Sequence, residues 1–300
     1  MKKHIGAMAL VILFASCLKV TEQPATDSSS SSNPATRSES DGFTNVAAVN
    51  TTVTTESALK TAIANAKAGD IITVSGTIRL TSTLQLLNSG TSSSKINFTG
   101  GTLDCSGISS GWGVKCNGSY WNITNMTIKN APDCGLVFQS GGYNYVSNIT
   151  ATGNDDSGIQ IYNGSHHNNV VNCKSNENYD AANGGENADG FACKLSGGAG
   201  NKFTSCTANH NSDDGWDLYG QPYSVTITGC VATNHGYGSN GDGNGFKLGS
   251  AGQNVPHTVT NCTANNNKAW GYDGNGNTGH ITITGSGGSG NGSGLMTRIY

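Results

Sequence analysis

Three stretches of this chain carry one motif, and each loads it with charge. They are Asn187-Ala188-Asp189-Gly190-Phe191-Ala192, Ser212-Asp213-Asp214-Gly215-Trp216-Asp217 and Asp242-Gly243-Asn244-Gly245-Phe246-Lys247. Aligned on Gly190, Gly215 and Gly245, their aromatic residues coincide, and one position later Ala192, Asp217 and Lys247 coincide. If each copy is one turn of a coil, Asp189, Asp213, Asp214, Asp217 and Lys247 gather within a few turns. Only 12% of the residues are charged, so such a cluster needs a reason. Carboxylates this close repel one another unless a cation sits among them. Hard oxygen donors in a loose group suit Ca2+ better than Mg2+, which demands strict octahedral geometry.

The alignment extends one turn back to Asp156-Ser157-Gly158-Ile159-Gln160 and one forward to Lys268-Ala269-Trp270-Gly271-Tyr272-Asp273. The column after the aromatic then reads Gln160, Ala192, Asp217, Lys247, Asp273. The column before glycine reads Ser157, Asp189, Asp214, Asn244, and the one before that Asp156, Ala188, Asp213, Gly243. Lys247 is the odd member of its column. It reads either as a structural ion pair, of little worth when exposed, or as a general base. A free lysine titrates at about 10.4. A nearby metal and partial burial disfavour its charge, while Asp217 and Asp273 favour it. Aspartate also favours turns for its own sake, and Asp104, Asp133, Asp155, Asp156 and Asp180 read as turn formers on a solvated face.

The elements that would position these residues show in a wider repeat. Ile123-Thr124-Asn125-Met126, Val146-Ser147-Asn148-Ile149, Val170-Val171-Asn172-Cys173, Phe203-Thr204-Ser205-Cys206, Ile227-Thr228-Gly229-Cys230 and Val259-Thr260-Asn261-Cys262 are versions of one segment. The intervals between their last residues are 23, 24, 33, 24 and 32. A base period near 24 with occasional insertions fits a coil of several short strands per turn, each alternating inward apolar and outward polar residues. Asn, Ser or Gly before the inward residue suits a tight corner, since Asn and Gly tolerate left-handed backbone. These properties predict an all-β fold, a parallel β-helix whose turns stack at about 4.8 Å and share one core. Leucine-rich repeats would show leucine spacing, and a propeller would need a longer period and antiparallel blades. The coil's first turn needs a cap. The stretch from Thr55 to Ala66, with Leu59, Ala62, Ile63 and Ala66 as an apolar stripe, predicts an N-terminal capping helix.

Composition agrees. The chain has 300 residues, 43 Gly and only 5 Pro, and its formal net charge is −3. There is no basic footprint for nucleic acid, and an acidic polymer could be held only by a local cation. The N-terminus begins Lys2, Lys3 and His4, runs apolar from Ala7 to Ala15 and reaches Phe14-Ala15-Ser16-Cys17. That is a short export signal, and small residues before Cys17 resemble a bacterial lipobox. We therefore expect a leader at 1–17 with lipidation at Cys17, a Ser/Thr-rich tether at 18–44 and a β-helix domain at 45–300. The expected location is the cell envelope or surface, with simple secretion as the alternative, and the expected state is a monomer meeting membrane only through the lipid. Eight further cysteines could form disulfides in an exported protein. Their equivalent places in the repeats are equally explained by small apolar residues stacked in a core.

The run Glu186–Ala192 followed by Asn211–Leu218 resembles polysaccharide lyase family 9, the pectate lyase group with a right-handed parallel β-helix. Gly158-Ile159-Gln160-Ile161-Tyr162 and Gly243-Asn244-Gly245-Phe246-Lys247 share the likeness, which runs from about Val53 to the C-terminus. The resemblance implies that Asp189, Asp213, Asp214 and Asp217 hold Ca2+ and that Lys247 is the Brønsted base, with Lys194 as its rival. It implies β-elimination on α-1,4-polygalacturonate, leaving a 4,5-unsaturated sugar. Ca2+ would let an acidic protein bind pectate, the acidic plant cell-wall polysaccharide. Tyr162, Tyr219, Tyr223 and Tyr237 could serve as sugar platforms. Alternatives are a rhamnogalacturonan lyase on the same residues, a surface β-helix that binds acidic glycan without cutting it, and a uronate epimerase.

Overall fold

The computed structural model describes residues 47–300; the expected leader with Cys17 and the tether at 18–44 lie outside them. From Asn50 onward the chain alternates short strands and corners, with 25 strands and one α-helix among the described residues. The strands pair in parallel and form one sheet of sixteen strands and one of nine. In the larger sheet Phe98, Ile123, Val146, Val170, Phe203, Ile227 and Val259 stack in register, the column that the repeats predict. The residue at the corner of this segment has positive φ on each turn: Asn125 (57°), Asn148 (55°), Asn172 (52°), Ser205 (53°), Gly229 (62°) and Asn261 (54°). Amide side chains and glycine make that left-handed step cheap.

The nine-stranded sheet stacks Leu136, Ile159, Phe191, Trp216, Phe246 and Tyr272, all fully buried. The last four rings lie nearly parallel at centroid spacings of 4.7, 4.8 and 5.0 Å. Such pairs add about 0.5–1.5 kcal/mol each beyond the area they bury. The aromatic of each motif is thus a core residue, and it fixes the register of the charged residue that follows.

A second stack runs along the corner that leads into this sheet. Asn154 Nδ2 donates to Asn178 Oδ1 at 2.9 Å, and Asn178 Nδ2 donates to Asn211 Oδ1 at 2.8 Å. His235 stands in the next place, accepting from Asn211 N through Nδ1, and Asn267 and Asn291 continue the stack. Each carboxamide both donates and accepts, so one turn satisfies the next.

The helix spans Glu56–Asn65 with Leu59 and Ile63 buried. Thr55 caps its start by accepting from Ala58 N at 3.3 Å. Asn88 Nδ2 lies within 3.2 Å of the Ile63, Ala64 and Ala66 carbonyls, satisfying the other end. The helix packs on the first strands, Asn50–Val53, Ile71–Val74 and Leu84–Leu86, as a cap. All eight core cysteines are free and buried. Cys206, Cys230 and Cys262 stack on successive turns, with backbone N–H groups 3.4 and 3.3 Å from the next sulfur.

Candidate active site

The three motif columns fall into register as aligned. Gln160, Ala192, Asp217, Lys247 and Asp273 are consecutive neighbours across the nine-stranded sheet. The shared glycines make the corner tight: a Cβ on Gly215 would lie 2.5 Å from Gly245 O, and one on Gly190 would lie 2.6 Å from Ala208 Cβ. The residue before each of these glycines, Asp189 or Asp214, is fully buried at the corner.

Carboxylate oxygens of Asp189, Asp213 and Asp214 lie within 4.8 Å of one another. Asp213 accepts from Asn187 N at 3.1 Å and Asp242 N at 2.6 Å. Asp214 Oδ1 accepts from Asn244 N at 2.6 Å, whereas Asp214 Oδ2 is buried without a hydrogen bond. Asp217 is joined to this group through Lys194, whose Nζ lies 2.7 Å from Asp189 Oδ2 and 3.2 Å from Asp217 Oδ2. Burial, together with neighbouring carboxylates, pushes Asp189, Asp213 and Asp214 above the usual carboxylate range. Desolvation disfavours the charge, and like charges add to the cost. An all-oxygen donor set with one buried oxygen left over fits a hard cation such as Ca2+.

Lys247 reaches the same group from the next turn. Its Nζ lies 3.4 Å from Asp214 Oδ2 and 2.7 Å from Asp242 Oδ2. Burial opposes its charge, but Asp214, Asp217 and Asp242 outweigh that and hold it above the ordinary lysine range. Lys194 follows the same balance: burial opposes its charge, and Asp189, Asp217 and Asp156 overcome it. It is more enclosed than Lys247, with 9% of its side chain exposed against 12%.

A cleft of about 470 Å³ opens onto this group, lined by Asp213, Asp217, Lys194, Lys247, Tyr219 and Asp242 among others. Of the four tyrosines proposed as platforms, Tyr219 lines this cleft, its ring centroid 5.9 Å from Lys247 Nζ. Tyr223 borders a separate hollow. Tyr237 is packing: it stacks between Tyr179 and His210 and donates to Asn178 O at 3.2 Å. Tyr162 lies outside the cleft lining.

Two participants escape the column argument. Lys194 lies two residues beyond Ala192, hence on the same outward face of its strand, and its length carries it across to Asp217. Period two was the available signal. Asp242 shares the third position before glycine with Asn187 and Ser212, a column of mixed residues that carries no charge signal. Earlier on the same columns, Asp133, Cys134 and Asp156 also approach within 4.8 Å. The sequence alone reads both of those acids as turn formers.

Comparison with known proteins places the chain. Residues 40–298 match the model of the Pel9A-like, right handed beta helix region. Pectate lyase L of Paenibacillus polymyxa (strain SC2) is 40% identical over 192 residues, 57% of this chain and 42% of that protein. Pectate lyase L of Dickeya chrysanthemi is 35% identical over 186 residues, 60% of this chain and 44% of that protein. The chain thus spans less than half the length of these relatives. Among solved structures, the crystal structure of pectate lyase Pel9A superposes with a TM-score of 0.70 at 30% identity, over 74% of this chain and 61% of that one. The chain belongs to the Pel9A-like right-handed β-helix family, polysaccharide lyase family 9.

Proposed function

We propose that this member of polysaccharide lyase family 9 is a calcium-dependent pectate lyase, cleaving α-1,4-polygalacturonate by β-elimination. One observation carries the reading: of the five residues that the motif columns single out, Asp213, Asp217 and Lys247 line one cleft, and Asp189 and Asp214 are buried against Asp213 beneath it, with one Asp214 oxygen free of hydrogen bonds. The relatives named pectate lyase support it.

Asp189, Asp213, Asp214 and Asp217 would hold the Ca2+. When bound, the ion supplies positive charge that binds the uronate carboxylate, stabilises charge developing beside C5 and offsets the carboxylates that keep Lys247 protonated. Neutral Lys247 Nζ takes the C5 proton. The electrons of that C–H bond form the C4–C5 double bond, and the C4–O bond breaks. The leaving oxygen is protonated from solvent, and the new end is a 4,5-unsaturated sugar. No water is consumed, so a hydrolytic carboxylate pair is not required. Lys194, tied to Asp189 and Asp217, serves as a fixed counter-charge. Lipidation at Cys17 would anchor the enzyme at the cell envelope, where a plant polymer is met outside the cell.

The test is the ultraviolet absorbance of the unsaturated uronide during incubation with polygalacturonate, first with Ca2+ and then with excess chelator. We expect a rise that the chelator abolishes. A rise on rhamnogalacturonan alone would move the substrate, and no rise on either polymer would refute the lyase reading.

A further inference from the structure

The corner that leaves the nine-stranded sheet differs from the acidic one that enters it. On three successive turns it presents an aromatic ring: Tyr120 and Tyr143 stack at 5.1 Å, and Tyr143 and His167 stack at 4.8 Å. His166 meets Tyr143 edge-on and shares a 3.0 Å hydrogen bond with His167. All three stacked residues have positive φ, 61°, 59° and 52°. Tyrosine is uncommon there, and at other left-handed corners, such as 125, 148, 172 and 261, this chain uses asparagine. Local backbone preference therefore does not explain the two tyrosines. Tyr143 is 42% exposed with its ring faces covered by Tyr120 and His167, so the stack turns its ring edges to solvent.

The charge at this corner also differs. A hollow of about 240 Å³ lies between Tyr143, Tyr145 and Lys95, and a second of about 560 Å³ lies beyond His167, beside Tyr223. His167 lines both, and neither lining contains an aspartate or glutamate. The catalytic cleft, by contrast, is lined by Glu186, Asp213, Asp217 and Asp242. Lys95 Nζ lies 5.9 Å from the Tyr145 ring centroid and donates to Tyr143 O at 3.1 Å. The second hollow adjoins the catalytic cleft through the neighbouring residues Leu195 and Ser196.

Resting on the acidic-polymer reading above, we propose that this ring-bearing corner is a second binding track for the same uronate polysaccharide, one that needs no metal. Sugars would meet the edges of the stacked rings, whose phenol and imidazole polar atoms can hydrogen-bond their hydroxyls, while Lys95 pairs with a carboxylate. The strip runs parallel to the coil axis, one ring per turn. It would hold a length of polymer beside the cleft while another segment is cut.

The experiment uses the whole chain in excess chelator, with polygalacturonate binding measured by affinity electrophoresis and calorimetry. Tyr143→Asn and His167→Asn both suit left-handed backbone, and each is combined with Lys95→Gln. Wild type should bind without metal, and either double variant should lose at least tenfold in affinity at unchanged Tm. With Ca2+, the variants should keep kcat on short oligogalacturonates and show a raised KM on polymer only. Undiminished metal-free binding by both double variants would overturn the track, as would the absence of such binding in wild type. Product from short oligomers reads the lyase activity separately. Product without metal-free binding sinks the track alone, and binding lost in the variants without any product sinks the lyase reading alone.

Discussion

The corner leading into the nine-stranded sheet holds two neighbouring stacks built on opposite principles. Along one, Asn154, Asn178 and Asn211 repeat an amide from turn to turn. Along the other, Asp189 and Asp214 repeat a carboxylate, with Asp213 beside them. A carboxamide is donor and acceptor at once, so stacking satisfies it. An ionised carboxylate only accepts, so stacking it leaves charge that must be met from elsewhere. Lys194, Lys247 and backbone N–H groups meet part of it, and Asp214 Oδ2, 3.4 Å from Lys247 Nζ, accepts no hydrogen bond. Periodicity in this fold therefore stabilises when the repeated group complements itself, and creates a site when it does not.

Removing the lysine that faces the acidic stack should have the largest effect. Lys247→Ala should lower turnover by about 10²–10⁴-fold, the usual worth of a positioned base, while polymer and Ca2+ binding persist. Normal turnover in that variant would remove Lys247 from the mechanism.

Exchanging the two principles comes next. Asn178→Asp places an acceptor-only group where Nδ2 now donates to Asn211 and Ser175. It should cost about 3 kcal/mol or more in denaturant unfolding, through an unpaired buried charge. A stability loss below about 1 kcal/mol would mean that the amide stack is not what holds this corner.

The pH dependence should follow the acidic stack. Burial raises the pKa values of Asp189 and Asp214 in the fold, so the native state binds protons more tightly than the unfolded chain. Their contribution to metal-free stability is therefore greatest at low pH and is lost as pH rises above 3.8, the ordinary carboxylate value. Tm measured across pH should fall on that limb without metal, and saturating Ca2+ should flatten it.

A smaller effect is expected at Asp242. Its carboxylate is 56% exposed and helps keep Lys247 charged. Asp242→Asn should move the base limb of the kcat–pH profile to lower pH, leaving stability nearly unchanged. An unmoved limb would mean that Lys247 is tuned by the buried acids alone.

The columns were legible because a parallel coil keeps one register. Fixing Phe191, Trp216 and Phe246 in the core column places Ala192, Asp217 and Lys247 beside one another without further information. Corner chemistry was legible for the same reason, as Asn148 and Asn172 show. What escaped depends on reach or on columns of mixed residues. Lys194 belongs to a different column and enters only because its side chain spans one turn. Asn187 and Asp242 share a column with Ser212 that carries no charge signal, yet their backbone N–H groups bind Asp213. The amide stack keeps the same 24- and 33-residue intervals as the core column, but asparagine suits a turn for its own sake, so nothing in the residue type marks Asn154, Asn178 and Asn211 as stacked.

The most direct measurement is the Tm of metal-free wild type and Asp214→Asn during a Ca2+ titration. The account predicts that the variant begins with the higher Tm, by about 1 kcal/mol of relieved carboxylate burial. Wild type should then rise with Ca2+, by about 2.7 kcal/mol at a hundredfold excess over Kd, while the variant stays flat. An equal rise in both proteins, or none in wild type, would contradict the claim that the acidic stack is a cation site.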